Sequence, residues 1–300
     1  MKVLVTGASG FIGKHLVRKL LDRGDEVLCV SREAKCPSQT FNVNLSNARD
    51  LDKLPSDIDC IFHLAAYAPI PCEEGDPRVH LLNNTLATLN IIEYSRERGI
   101  ENIVYASTMM VYGKPQYLPI DEAHPVSPNT FYGASKYAGE ILCNTAREKY
   151  NMNTVSLRLN YIYGPYMSPN TVIRKFLDRS LEGKDLEVFN GGRDAFDFVF
   201  VTDVVQACLK SMGKRGTFNI GSGVLNNIFD LAEIIVEASE SKSKIVVFEK
   251  KSDYEIKQIS CSTHKAQTEL GYSVDYPLKR GIKSYIEFIK ERRVDMKSDP

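Results

Sequence analysis

A glycine-rich segment near the start of the chain constrains its fold more than any other feature. The segment TGASGFIG places Gly7, Gly10 and Gly13 directly after an apolar run and at the opening of an amphipathic helical pattern. The first glycine allows a tight turn, the second lets the backbone approach a pyrophosphate, and the third lets helix and sheet pack closely. The helix start, at Phe11 and Ile12, presents free N–H groups to the phosphates. We therefore predict that these five residues bind a dinucleotide.

The first half of the chain alternates short apolar runs with helical patterns. The predicted strands are 2–6, 26–30, 59–66, 102–107 and 154–159, and the predicted helices are 11–23, 85–99 and 132–149. The runs are almost continuously apolar, which is typical of strands buried on both faces of a parallel sheet. Strand and helix repeated in this order indicate an α/β fold with a Rossmann-type, doubly wound parallel sheet and right-handed crossovers.

The pattern changes after residue 165, where strands and helices no longer alternate regularly. The predicted helices there are 171–182, 202–212, 229–239 and 278–292, with strands from 216 and at 245–249. This arrangement indicates a smaller mixed lobe beside the sheet. We predict a dinucleotide-binding domain of residues 1–165 plus about 197–223, and a C-terminal substrate-binding lobe of about 166–196 and 224–300.

Composition argues against several other classes of protein. Lys+Arg and Asp+Glu both total 38, so the charge balance gives no indication of a nucleic-acid partner. No stretch reaches the roughly 18 apolar residues of a membrane helix, and we expect no membrane partner. The seven cysteines are scattered without a Cys-x-x-Cys pair, and the five histidines lack ligand spacing. We predict a reducing, cytoplasmic location and no metal site.

The residues that follow the second strand bear on which dinucleotide binds. A NAD site usually carries Asp or Glu at the end of this strand, where the carboxylate binds the ribose hydroxyls. Ser31 and Arg32 occupy these places here, and an arginine can meet the 2′-phosphate of NADP. We predict that both residues bind the cofactor and that NADP is preferred. The adjacent Glu33, and the alternative that Arg32 is only a surface residue, leave NAD open.

An ordered set of motifs extends from the glycine segment to about residue 290. The motifs are TGASGFIG, DCIFHLAA, NNTLATLNIIE, VYASTMMVYG, YGASKYAGE, LRLNYIYGP, FVFVTDVV, FNIGSG and TELGY. In this order and at these separations they resemble the extended short-chain dehydrogenase/reductase family, specifically its NAD-dependent epimerase/dehydratase group, which works on nucleotide sugars. The resemblance implies NAD or NADP as cofactor and a small-molecule substrate, a nucleotide sugar.

The segment YGASKYAGE carries the catalytic pair that this resemblance implies. Tyr132 would be the acid/base, and Lys136 its partner, with both also contacting the cofactor. Residues i and i+4 share a helix face, and a nearby ammonium lowers the pKa of a phenol from its free value of about 10. Thr108 would bind the reacting oxygen of the substrate, with Ser107, also assigned to the cofactor site, as the fallback. The alternative is that Thr108 only satisfies the backbone at a strand end.

The same resemblance assigns a further set of residues to the cofactor site. They are Leu64, Ala65, Ala66, Asn84, Asn44 and Leu45. The first three match the turn under the cofactor, and the fourth matches an asparagine that holds the strand-end loops. Asn44 and Leu45 replace the usual Asp-hydrophobic pair near the adenine, and an asparagine oxygen could still accept a hydrogen bond from the adenine amino group.

The chain departs from the family pattern directly after Thr108. Dehydratases of this group carry Asp-Glu there, as the acid and base that expel water, whereas this chain has Met109 and Met110. A thioether cannot move a proton. We therefore do not expect a 4,6-dehydratase.

Other departures concern the residues that would bind the substrate. The family asparagine before Tyr-Gly-Pro is replaced by Tyr161, with Asn160 just before it, and the family arginine that grips the sugar diphosphate is replaced by Phe196. Arg193, three residues upstream, could serve in its place, and Lys250 or Lys251 could replace a second family arginine near the uracil- or thymine-bearing nucleotide. A lysine lacks the bidentate fork that arginine offers to phosphate. We assign Asn160, Tyr161, Arg193 and Lys250, together with Thr108, to the substrate site.

The leading interpretation is an NAD(P)-dependent sugar oxidoreductase, either a nucleotide-sugar C4 epimerase or a 4-keto reductase. The two activities share the same Thr/Tyr/Lys site. A reductase of a non-nucleotide carbonyl compound is the alternative that Tyr161 and Phe196 suggest. A non-catalytic dinucleotide sensor is disfavoured because Tyr132 and Lys136 are both present.

A homodimer is also expected from the resemblance. Family members pair through helices that match residues 85–98 and 132–149. The segment LATLNIIEYS is apolar enough for such an interface, and equally for packing on its own sheet.

Overall fold

The structure, a computed structural model, describes residues 1–32, 36–69, 75–249 and 257–298, with side chains as far as residue 292. The strands are β1 Lys2–Thr6, β2 Glu26–Val30, β3 Thr40–Phe41, β4 Cys60–His63, β5 Asn102–Thr108, β6 Asn153–Leu159, β7 Tyr161–Tyr163, β8 Leu186–Val188, β9 Ala195–Phe196, β10 Phe198–Phe200, β11 Gly216–Ile220, β12 Asn226–Asn227, β13 Ile245–Val247 and β14 Gln258–Ile259. The α-helices are α1 Phe11–Asp22, α2 Pro77–His80, α3 Ala87–Glu97, α4 Phe131–Tyr150, α5 Val172–Leu181, α6 Val201–Lys210, α7 Ile228–Ser239 and α8 Leu278–Ser298.

Seven of the described strands form one sheet in the order β11-β6-β5-β4-β1-β2-β3, and every pairing in it is parallel. Successive side chains of a strand point to opposite faces. Val3 and Val5 of β1 accordingly belong to a core with α1 and α6, whereas Leu4 belongs to a second core with α3 and α4. Apolar residues on both faces explain why the strands are continuously apolar in sequence. The predicted doubly wound α/β fold is confirmed.

The C-terminal part of the chain builds a third core of its own. Its strands pair in small sheets, β10 with β7, β9 with both β12 and β14, and β13 with β8. Helices α5, α7 and α8 contribute Leu177, Leu231 and Ile282 to this core. Because β11 returns to the large sheet beside β6, the chain crosses between the two parts more than once. The division into two domains at the predicted boundaries stays a proposal.

Two helices differ in extent from the sequence prediction. The helix predicted to start at residue 85 begins at Pro77, and a π-helical segment, Leu81–Leu86, joins α2 to α3. Asp76 caps this start because its side chain accepts a hydrogen bond from the N–H of Arg78, and Pro77 occupies the first helical position. The last helix continues to Ser298 rather than ending at 292. Among the described helices, none is long and apolar enough to cross a membrane.

A buried ion pair holds α4 against the middle of the sheet. Glu140 of α4 and Arg158 of β6 form a salt bridge at 2.7 Å, and both side chains are almost fully buried. Ser107 of β5 donates to the Glu140 carboxylate at 2.5 Å, and Arg158 donates to the hydroxyl of Tyr112 at 2.7 Å. Tyr112 in turn donates to Asn219 of β11 at 2.8 Å. The network fixes the register between α4 and three neighbouring strands.

We expect replacement of Glu140 by alanine to destabilise the fold strongly. The substitution leaves the buried guanidinium of Arg158 without its counter-charge, which typically costs about 3–5 kcal/mol. Urea unfolding of Glu140→Ala measures this loss. Glu93→Ala is the control, since Glu93 pairs with Arg96 on an exposed helix face and should change stability little. Equal losses in the two variants would contradict the role given to the network.

Candidate active site

The carboxyl ends of the parallel strands meet at one edge of the sheet. Thr6 at the end of β1 is level with His63 at the end of β4. Thr108 at the end of β5 is level with Leu159 at the end of β6. In open α/β sheets, ligands bind at this edge. The candidate site is therefore built on the residues that follow these four strand ends.

The glycine turn lies between β1 and α1 and is closely packed. Gly7 has a φ of +67°, and a Cβ placed on it would lie 2.8 Å from the backbone nitrogen of Ala65. A Cβ on Gly13 would lie 2.2 Å from the carbonyl oxygen of Gly7. Helix α1 begins after Gly10 without a side-chain cap or an acidic residue in its first turn. Its first N–H groups can therefore receive an anion such as a pyrophosphate.

A groove opens beside this turn. Its lining includes seven residues that the sequence assigns to the cofactor, namely Gly7, Ser31, Arg32, Asn44, Leu45, Ala65 and Ala66. Ser31 is buried and bonds Ser9 at 2.7 Å, whereas Arg32 is exposed. The groove could hold the adenosine half of a dinucleotide, with the pyrophosphate at the start of α1.

Other residues assigned to the cofactor turn their side chains elsewhere. Phe11 packs against the C-terminal core, and Ile12 and Leu64 pack against the core under the sheet. Ser107 donates to Glu140. These residues could serve a cofactor through backbone groups or by shaping the turn, because their side chains are already occupied.

The turn that follows β4 is held by two buried polar networks. The hydroxyl of Thr6 accepts from the N–H of Ala65 at 3.1 Å and bonds His63 Nδ1 at 2.8 Å. Burial lowers the pKa of His63 to about 3, so this imidazole is neutral. Asn84 accepts from the N–H of Tyr67 at 2.7 Å and donates to its carbonyl at 3.1 Å. Asn84 thus holds the loop that contains Tyr67, and its assignment to the cofactor site stays a prediction.

The start of α4 brings the tyrosine–lysine pair to the same edge. Thr130 caps the helix by accepting from the N–H of Gly133 at 3.0 Å. A Cβ on Gly133 would lie 2.5 Å from the carbonyl oxygen of Met110, so the helix start packs directly on the segment that follows Thr108. Tyr132 is half-buried in the first turn. The structure therefore places Tyr132, Lys136 and Thr108 on adjoining segments.

Lys136 lies one helical turn after Tyr132 and is 1% exposed. Its Nζ lies 4.2 Å from the ring centroid of Tyr105, a cation–π contact. Burial lowers the pKa of Lys136 to about 7, while Cys143 and Glu140 act weakly in the opposite direction. Such a lysine can change its proton occupancy near neutral pH, which is a common property of active-site groups.

The residues assigned to the substrate are only partly brought together. Asn160 is buried, and its side-chain oxygen accepts from the N–H of Tyr161 at 3.0 Å. Tyr161 packs on Phe196 with ring centroids 4.5 Å apart. Arg193 instead forms an exposed ion pair with Glu249 at 3.7 Å. Lys250 lies outside the described residues. An aromatic surface therefore stands where the resemblance implies a phosphate-binding arginine.

Several aromatic residues near these segments were not found from the sequence. Tyr67 lines the groove, and its ring packs on His80, which in turn packs on Tyr132. Phe189 and Phe248 stack at 5.2 Å and are both exposed, at 59% and 45%. An exposed aromatic face can stack a nucleotide base. In the sequence, Phe189 and Phe248 each follow a short apolar run directly. This pattern is too common to single out a binding residue.

A parallel α/β sheet with a tight glycine turn and a groove at its carboxyl edge is typical of a dinucleotide-binding protein. A profile of the NAD dependent epimerase/dehydratase family matches residues 3–221. A putative UDP-glucose 4-epimerase of Methanocaldococcus jannaschii is 32% identical over 96% of this chain and 98% of its own length. The chain therefore belongs to the NAD-dependent epimerase/dehydratase family, as its ordered motifs predict.

Solved structures of related enzymes have the same fold. The UDP-glucose 4-epimerase of Thermotoga maritima, solved with UDP-glucose, has a TM-score of 0.88 and 26% identity, and the match covers 98% of this chain and 100% of that one. The UDP-glucuronic acid 4-epimerase of Bacillus cereus, solved with UDP-glucuronic acid and NAD, has a TM-score of 0.82 and 27% identity, covering 97% and 100%.

We expect Lys136 to raise the free energy of unfolding between pH 7 and pH 8.5, in opposition to the buried cysteines, whose raised pKa values lower it in the same range. The pKa of Lys136 falls from 10.5 to about 7 on folding, so in this range the unfolded chain binds a proton that the folded chain has released. The contribution of Lys136 to stability then increases with pH, here by on the order of 1 kcal/mol. Urea unfolding at the two pH values should give a change with pH that is more positive in the wild type than in Lys136→Met, because both proteins carry the same cysteines.

Lys149→Met, at an exposed position of the same helix, is the matched control and should keep the wild-type change. His63, the buried histidine with a lowered pKa, titrates below this range. The same change with pH in Lys136→Met as in the wild type would contradict the contribution given to Lys136.

Proposed function

We propose that the protein is a nucleotide-sugar C4 epimerase that acts on a UDP-sugar and uses NAD. The observation that carries the proposal is the buried Lys136 one helical turn from Tyr132, on a helix whose start packs against the segment after Thr108. The curated and solved relatives named above are UDP-sugar 4-epimerases. Because all three are described as 4-epimerases of UDP-sugars, they support a UDP-sugar as the substrate. Because their sugars differ, they leave the particular sugar open.

The three side chains have separate tasks in this proposal. Tyr132 takes the proton from the sugar C4 hydroxyl and later returns one to the same oxygen. Lys136 supports the phenolate by its charge, and Thr108 donates a hydrogen bond to the reacting oxygen. The nicotinamide, when bound, supplies the acceptor and donor of hydride at C4. Turning the sugar between the two transfers would invert the configuration at C4.

We propose NAD as the cofactor, in contrast to the preference for NADP that Arg32 suggested. The Bacillus cereus relative holds NAD, and the family is described as NAD-dependent. Arg32 is exposed at the rim of the groove. An exposed arginine keeps its hydration and does not require a phosphate partner, so its presence alone does not select NADP.

The other readings of the site are weaker. A 4,6-dehydratase would need an acid and a base where Met109 and Met110 stand. A 4-keto reductase uses the same three side chains but consumes a reduced dinucleotide, which distinguishes it in an assay. The Tyr161–Phe196 contact favours a non-nucleotide carbonyl substrate, and it is the one observation that keeps this alternative. The predicted cytoplasmic location stays a prediction.

We also propose that the protein is a homodimer that pairs through α3 and α4. The two helices pack side by side. Leu89 of α3 and Ile141 of α4 are 37% and 50% exposed. Exposed apolar residues on two neighbouring helices suit a four-helix interface with a second copy of the chain.

The direct test of the proposed function is the interconversion of UDP-sugars by the wild type and Tyr132→Phe. UDP-glucose, UDP-N-acetylglucosamine and UDP-glucuronate are supplied with NAD, and the products are separated by chromatography. We expect one of them to be converted to its C4 epimer without net change in NADH absorbance. Tyr132→Phe should lose about 10²–10⁴-fold in kcat, since it lacks the proton-transferring hydroxyl.

Tyr137→Phe is the control, because Tyr137 lies on the same helix but packs with Met109 and Val111, and it should retain activity. Conversion at an unchanged rate by Tyr132→Phe would refute the proposal. Stoichiometric oxidation of NADPH with a keto sugar would instead identify a reductase.

The proposed dimer predicts that Ile141→Glu is monomeric. A buried, unpaired carboxylate in the interface opposes association, and light scattering after gel filtration measures the mass. Val246→Glu, at an exposed apolar position in the C-terminal part, should leave the dimer intact. A wild type of monomer mass, or a dimeric Ile141→Glu, would exclude this interface.

A further inference from the structure

His80 occupies an unusual position for a polar residue close to the candidate active site. It is the last residue of α2 and is 2% exposed. Its ring lies between two tyrosines, with centroid distances of 4.8 Å to Tyr67 and 6.1 Å to Tyr132. Tyr67 lines the groove assigned to the dinucleotide. His80 therefore connects the cofactor groove with the proposed acid/base.

The imidazole is buried with one nitrogen unsatisfied. Among the residues that the structure describes, none forms a hydrogen bond with Nδ1 of His80. A buried polar atom without a partner destabilises the folded state, and a ring without polar atoms, such as that of phenylalanine, would avoid this cost. The position therefore holds a hydrogen-bonding group that packing alone does not require.

Asn84 links the two chain segments that carry the tyrosines on either side of His80. Asn84 bonds both backbone groups of Tyr67, and it donates to the hydroxyl of Ser135 at 2.9 Å. Ser135 in turn donates to the carbonyl oxygen of Tyr132 at 2.8 Å. The two tyrosines that flank His80 thus belong to one hydrogen-bonded frame. A change at His80 can reach Tyr132 through their ring contact without displacing the backbone.

The opposite edge of the imidazole, at Nε2, faces Gly75. A Cβ placed on Gly75 would lie 3.1 Å from Nε2 of His80 and 3.0 Å from the hydroxyl of Tyr67. Gly75 has a φ of +116°, a conformation that favours glycine. A side chain at position 75 would therefore crowd the Nε2 edge of His80, whereas the backbone of Gly75 leaves that space open, so the two nitrogens of His80 have different surroundings.

We infer that His80 is a positioning residue for the proposed epimerase reaction. When the site is occupied, Nδ1 of His80 forms a hydrogen bond that fixes the imidazole ring. The fixed ring, in contact with Tyr132, then holds the tyrosine ring in its reactive orientation. The inference rests on the proposed function, because it assigns His80 a role through Tyr132. It concerns a residue for which neither the glycine motif nor the Tyr-x-x-x-Lys motif gives any indication.

Three substitutions separate this role from simple packing. His80→Phe keeps a ring and removes both nitrogens. His80→Asn places a polar atom close to the position of Nδ1, whereas His80→Gln places one close to Nε2. We expect His80→Phe to lower kcat about tenfold with KM within about twofold, the pattern of an interaction that acts mainly in the transition state. His80→Asn should recover most of the loss, and His80→Gln should not.

Thermal unfolding supplies the readout that a purely structural role would not produce. Because His80→Phe removes an unsatisfied buried nitrogen, its Tm should be unchanged or raised by about 2–4 °C while its activity falls. Loss of activity together with a lowered Tm would overturn the inference, as would wild-type kcat in His80→Phe or equal recovery by Asn and Gln.

Tyr132→Phe, measured in parallel, separates the failure of this inference from the failure of the proposed function. If it is inactive while His80→Phe is not, only this inference fails; if it is active, the proposed function fails.

Discussion

The buried ion pair between Glu140 and Arg158 is the interaction on which the rest of the candidate site depends. Its members lie on α4 and β6, and Ser107 of β5 joins them at 2.5 Å. The helix that carries Tyr132 and Lys136 is thereby held against the strand that ends in Thr108. A buried ion pair is weak evidence for stability, because the cost of desolvating the two charges offsets their Coulomb attraction. It does, however, require a particular geometry of the two side chains. Here it joins three elements whose relative positions decide whether a phenol and a hydroxyl can face the same substrate oxygen.

The electrostatics of the site follow from burial more than from neighbouring charge. Desolvation lowers the pKa of Lys136 to about 7 and that of His63 to about 3. The histidine is therefore a neutral structural residue that supports the turn below the groove. The lysine is close to the point at which protonated and neutral forms are equally populated. Its protonated form, which can support the phenolate of Tyr132 by its charge, is therefore present at neutral pH.

The sequence predicted the sheet well because buried parallel strands leave long apolar runs, and the glycine motif located the turn at the end of β1. It missed the helix start at Pro77 because four residues are too few for a periodic pattern, although the Asp-Pro pair is a capping signal. The side chains of Phe11 and Leu64 pack in cores, a distinction that a motif does not make. The contact of His80 with Tyr132 joins residues from distant segments, and the pairing of Arg193 with Glu249 depends on how two loops meet. Tertiary packing decides both, and no local pattern encodes it.

The central claim is that hydride leaves and returns to C4 of one sugar while Tyr132 moves the proton. The most direct measurement uses UDP-sugars that carry deuterium at C4, incubated with the protein and NAD and analysed by mass spectrometry. The account predicts a C4 epimer that retains the deuterium, because the same hydride is returned to the same carbon. An epimer that has lost the label to solvent, or the absence of any epimer from all three UDP-sugars, would contradict it.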